Sequence, residues 1–68
     1  MIEDTIAYMN REYRDVHRGV PNTLYITPDD YAELMEAVGI SPEEDFTYYS
    51  GMEIIVDDTL EETYIDAD

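Results

Sequence analysis

Apolar residues recur along residues 2–18 at spacings of four and three: Ile2, Ile6, Met9, Tyr13 and Val16. On a helix these positions share one side, so the pattern predicts an amphipathic helix. Glu3 and Asp4 at its start and Arg14 and Arg18 at its end suit the helix dipole. Gly19 offers a left-handed stop, and Pro21 bars continuation. Arg11 and Asp15 stand at i, i+4, where an ion pair is expected.

The next pattern is a short β-branched and aromatic run, Thr23-Leu24-Tyr25-Ile26, with Leu24 and Ile26 on one face of a strand. Thr27-Pro28-Asp29-Asp30 then opens a second helix. Thr27 is its N-cap, Pro28 suits the first helical position, and the acids face the positive dipole end. This helix runs to Val38, with Gly39 closing it. Tyr31, Leu34, Met35 and Val38 form its apolar stripe, and Asp29, Glu33 and Glu36 lie opposite in a row without a cation. Ser41-Pro42-Glu43-Glu44 repeats the capping pattern and suggests a single helical turn. After Phe46-Thr47-Tyr48-Tyr49 and a turn at Ser50-Gly51, residues 52–56 alternate as a strand: Met52, Ile54 and Val56 face one way, Glu53 and Ile55 the other. A turn over residues 57–61 leads to a last strand, 62–66, whose expected partner is 52–56 in an antiparallel hairpin. Tyr64 and Ile65 cannot both point inward, so its register stays open.

These elements predict one α+β domain over residues 1–68, in the order α-β-α-β-β. Its sheet is expected to have three strands, mainly antiparallel, packed by two helices. The 68 residues are near the lower limit for an independent core, and without cysteine no disulfide or thiolate metal site supports it. There is no apolar run of membrane-spanning length and no signal-peptide pattern, so a cytoplasmic protein is expected.

Charge changes the picture most. The net charge is −15. All three cations, Arg11, Arg14 and Arg18, fall in the first eighteen residues, and residues 19–68 hold fourteen carboxylates with no lysine or arginine. A compact chain of this length is roughly 28 Å across. Duplex DNA carries the same number of charges over roughly 25 Å. Solubility alone needs far less charge than this. The reading that accounts for it is imitation of nucleic-acid phosphates, in which the acids occupy a basic cleft on a nucleic-acid-binding protein. Adaptation to a high-salt cell is the competing account. A third is an acidic antitoxin-like or regulatory module for another basic partner.

Other chemistry is thin. His17, the single histidine, sits at a helix end, the place of a surface or capping residue; a catalytic role needs a nucleophile and an orienting partner, and without cysteine or lysine few nucleophiles remain. Adjacent acids such as Asp57-Asp58 and Glu61-Glu62 follow from abundance, and the calcium-loop pattern with its central glycine is absent. No enzyme activity, cofactor or metal is expected. Tyr13 and Tyr31 belong to core stripes. Tyr8, Tyr25, Tyr48, Tyr49 and Tyr64 are either core or interface residues, and Tyr48 or Tyr49 is placed to anchor a partner. The three arginines read as dipole compensation and internal pairing, and direct nucleic-acid binding is not expected.

In size, acidity and absence of lysine, the whole chain resembles the small DNA-mimic inhibitors of phages and mobile elements, anti-CRISPR proteins in particular. The resemblance implies a monomeric, stoichiometric inhibitor in the bacterial host cytoplasm that binds a Cas effector and blocks target DNA or PAM reading. A subunit of a type I CRISPR complex is the expected target. The acids it implicates are Asp29, Glu33, Glu36, Glu43, Glu44, Asp45, Glu53, Asp57, Asp58, Glu61 and Glu62. Separately, "PNTLYITPDDYAELM" followed by "YYSGMEIIVDD" is similar to a strand–helix–hairpin segment common in phage capsid proteins, which implies a phage origin.

Overall fold

A computed structural model describes residues 1–67. Helix α1 spans Ile2–His17, strand β1 Thr23–Ile26, helix α2 Pro28–Val38, and strands β2, β3 and β4 span Tyr48–Tyr49, Met52–Val56 and Tyr64–Asp66. The strands form one four-stranded mixed sheet in the order β2-β3-β1-β4. The expected three-stranded, mainly antiparallel sheet is therefore corrected in two ways. A short extra strand, β2, joins β3, and β3 runs parallel to β1.

The parallel pair follows from the connection. α2 lies between β1 and β3 in the chain, and a helical crossover returns the second strand in the same direction as the first. The expected β3–β4 hairpin does not form: β4 pairs antiparallel with β1, matching Leu24 with Ile65 and Tyr25 with Tyr64. This fixes the open register, with Ile65 on the Leu24 side and Tyr64 on the other. The tight hairpin is instead β2–β3. Its turn residues Ser50 and Gly51 both have positive φ, 53° and 79°, the type I′ form that matches strand twist.

Both helices cover the same side of the sheet. Leu24, Ile26, Met52 and Ile54 point to that side and cluster with Ile2 and Ile6 of α1, Leu34 and Met35 of α2, and Phe46. Burying a side chain of this kind contributes about 1.5–3 kcal/mol, so this one layer is the main source of stability. The apolar stripes fade at their far ends: Val16, Val38 and Val56, expected inside, are exposed at 71, 39 and 45%. Small domains have too little interior to bury every apolar position.

The helix ends explain the placement of the loops. Thr27 Oγ1 accepts from the Asp30 N–H at 3.2 Å, and Pro28 opens α2. Gly39, at φ 76°, ends it as expected. For α1 the left-handed residue is Arg18, at φ 54°, one position before the expected Gly19. Residues 41–44 form a hydrogen-bonded turn, Glu44 N–H to Ser41 O at 3.0 Å, and not a regular helical element. No helix among the described residues is long and apolar enough to cross a membrane.

Candidate acidic interface

The sheet topology decides where the carboxylates go. β1 and β3 are parallel, so their C-terminal ends, Ile26 and Val56, lie at one end of the molecule. α2 starts there too, directly after Ile26, and so does the segment that follows β3. Asp29, Asp30, Asp57 and Asp58 therefore gather at this end, with Glu61 and Glu62 on the same connecting loop. Backbone and hydroxyl contacts hold the two segments together. The Asp57 N–H donates to Ile26 O at 3.0 Å, extending the strand ladder. Thr63 Oγ1 donates to Asp30 Oδ2 at 2.6 Å and accepts from the Thr27 N–H at 3.2 Å. The loop is thus fastened to the N-terminus of α2, and its acids are held beside those of the helix.

Two of these acids are partly occupied by structure. Asp30 is the acceptor for Thr63. Asp57 Oδ1 accepts from the Thr59 N–H at 2.8 Å and from Thr59 Oγ1 at 2.6 Å. The Thr59 hydroxyl and then its N–H favour the charged form, so the Asp57 carboxyl titrates below the ordinary aspartate value. Asp29, Asp58, Glu61 and Glu62 are exposed.

From this end the row continues along α2. Asp29, Glu33 and Glu36 are spaced by four and three on its solvent side and all are exposed. With a rise of about 1.5 Å per residue, the row is roughly 10 Å long. Glu43, Glu44 and Asp45 are exposed on the loop after α2. Glu53 stands apart. It alternates with the buried Met52 and Ile54, so it projects from the side of the sheet that the helices leave open. The acids read from the sequence thus divide into a strand-end group continuous with the α2 row, a loop group, and Glu53 on the opposite side. Asp66, which the sequence pattern alone does not single out, shares that opposite side: its β4 position pairs with Thr23, as Glu53 does from β3. The Tyr64–Ile65–Asp66 alternation was the signal for it.

Cations do not offset this field. The only ion pair among the described residues joins the Met1 amino group to Asp4 at 3.8 Å. The expected Arg11–Asp15 pair is not formed, and both residues are exposed. An exposed helix pair gains only about 0.3–0.5 kcal/mol, too little to fix two long side chains. Arg11 and Arg14 on α1 and Arg18 just after it are all exposed.

His17 stacks on Tyr13 at 4.2 Å between ring centroids, at the exposed end of α1. No group of three acids, histidines or cysteines among the described residues has the geometry of a metal site. A concavity of about 400 Å³ between α2 and the loop after it is lined by Tyr31, Ala32, Met35, Glu36, Ile40 and Pro42. It presents apolar surface with one carboxylate at its rim.

No protein-family profile, curated protein or solved structure matches this chain significantly.

Proposed function

We propose that the protein is a non-enzymatic inhibitor that acts by DNA mimicry. It presents the α2 row and the strand-end acids to the basic DNA-binding cleft of a nucleic-acid-binding protein. A Cas effector subunit in a bacterial host cytoplasm is the target to which the anti-CRISPR resemblance points. The observation that carries the reading is the run of exposed carboxylates from Asp58, Glu61 and Glu62 through Asp29 to Glu33 and Glu36, none of them in an ion pair among the described residues.

The charge density suits such a cleft. The long axis of the molecule is 36 Å, and with a net charge of −15 this is one charge per about 2.4 Å, against ~1.7 Å for duplex DNA. A cleft that attracts DNA therefore attracts this protein, and steering by its field speeds encounter. The bound inhibitor then occludes the DNA path without any chemical step. The strand-end loop is fastened through Thr63 to α2, so its acids need little ordering on binding, which limits the entropic cost.

The test is competition. A type I effector complex is titrated with the protein and with target DNA, separately and together, at about 50 and about 300 mM salt. The expected result is mutually exclusive binding, with affinity that falls steeply as salt rises, mainly through slower association. A stable complex holding effector, protein and DNA at once overturns the proposal.

A further inference from the structure

We infer that the open side of the sheet is a docking surface for arginine side chains of a protein partner. This rests on the reading above that the partner is basic, and it names a surface separate from the α2 row.

The strand pairing fixes what lies on that side. Tyr48, Glu53, Thr23 and Asp66 form one row across all four strands, and Ile55, Tyr25 and Tyr64 form the next. Both helices pack on the other side with Leu24, Ile26, Met52 and Ile54; Thr23 is buried, and Tyr64, on the edge strand, also borders a groove against Tyr8, Glu12 and Tyr13 of α1. Tyr48, Tyr64 and Ile55 are exposed at 65, 43 and 38%. Tyr25 and Tyr64 stack with centroids 4.8 Å apart and planes inclined by 17°. Tyr31 and Tyr49 complete the core. Tyr48 does not; it stands beside Glu53 with its ring in water.

Aromatic rings on an open sheet suit two kinds of ligand: unstacked nucleic-acid bases and cationic side chains. Charge decides between them. The two carboxylates of this face, Glu53 and Asp66, lie in the same row as Tyr48, whereas Arg11 and Arg14 are on α1, across the sheet, and Arg18 directly follows it. A phosphate backbone is repelled here. A guanidinium is not: its plane stacks on a tyrosine while its N–H groups donate to a neighbouring carboxylate. Lysine has the charge without the plane. The face therefore predicts a preference for arginine over lysine. A second copy of the chain is a poor occupant, because it brings another fifteen net negative charges to the contact.

The experiment compares a hexa-arginine peptide with a hexa-lysine peptide of equal charge, titrated into the intact protein at about 150 mM salt and followed by NMR. The expected result is binding about two- to fivefold tighter for the arginine peptide, with the largest shifts at Tyr48, Glu53 and Tyr64. Tyr48→Ser removes the preference and Glu33→Gln/Glu36→Gln retains it while weakening both peptides alike. Should Tyr48→Ser unfold, the wild-type ratio and shift map still decide. Equal affinity for the two peptides, or shifts confined to α2 and residues 57–63, overturns the inference. So does binding of an oligothymidine at Tyr48, or a dimer in light scattering that buries it. The two proposals separate cleanly. Effector competition without arginine preference refutes only this one, and arginine preference with simultaneous DNA binding by the effector refutes only DNA mimicry.

Discussion

Replacing Glu33 by lysine should move folding and binding in opposite directions. Glu33 is exposed at the middle of α2, with Asp29 four residues before it and Glu36 three residues after. Side chains at these spacings are neighbours, and each like-charge pair costs about 0.2–0.5 kcal/mol, while an opposite pair gains as much. Glu33→Lys turns two repulsive pairs into two attractive ones, a gain of about 1–2 kcal/mol. For a chain of this size 1 kcal/mol raises Tm by about 4–8 °C. The variant should therefore melt at least about 4 °C higher by circular dichroism in ~20 mM salt. The gain should shrink in ~1 M salt, where the screening length falls to about 3 Å. The same substitution places a cation in the middle of the proposed contact and should weaken effector binding by tenfold or more. An unchanged or lower Tm in low salt refutes the description of this row as an unrelieved line of like charge. Unchanged binding removes α2 from the interface.

Other substitutions probe the fold and the strand-end loop. Leu34→Ala empties a fully buried site and should cost about 2–5 kcal/mol, a large part of the roughly 3–10 kcal/mol expected for a domain of this size; urea titration would show it largely unfolded or nearly so. Gly51→Ala tests the type I′ turn: φ is 79° and a Cβ there meets nothing within 4 Å, so a loss of about 1–2 kcal/mol would be conformational alone. Thr59→Val removes the hydroxyl that holds Asp57 in its charged form, so the Asp57 carboxyl should titrate higher when followed by carbon NMR. A lowered native pKa contributes stability above the unfolded carboxylate range, lost as pH falls through the native value. The wild type should therefore lose this contribution on acidification, and Thr59→Val should have less to lose.

Local signals carried most of the elements. Thr27, Pro28 and Gly39 mark the ends of α2 because capping is short-range chemistry, and the alternation of Met52–Val56 marks β3 because burial on one side repeats every second residue. Pairing is another matter. A strand's pattern states which face is apolar and not which neighbour supplies the hydrogen bonds, so proximity in sequence points to β4 as the partner of β3. Two clues favoured the observed sheet: a helix between β1 and β3, which permits a parallel crossover, and Ser50-Gly51 between Tyr49 and Met52, which permits a two-residue hairpin. β2 has only two residues, too few for periodicity to register. The acids of α2 were legible as a row for the same reason as the helix. That Asp57 and Asp58 meet Asp29 and Asp30, while Glu53 faces away, depends on pairing and emerged only with the sheet.

The central position of β1 also governs how the chain reaches this state. Thr23 finds its neighbours at Glu53 and Asp66, so the middle of the sheet is assembled from segments thirty or more residues apart. Closing such long loops precedes any gain from pairing and slows folding relative to a local helical design. The local hairpin with β2 covers only one edge of Met52–Val56; until β1 arrives the other edge is open and apolar, the kind of segment that joins its counterpart in another molecule. Glu53 within it and Asp57 and Asp58 just after it act as gatekeepers during that interval. The same carboxylates proposed to meet a partner's basic groups thus keep nascent copies of the protein from meeting one another.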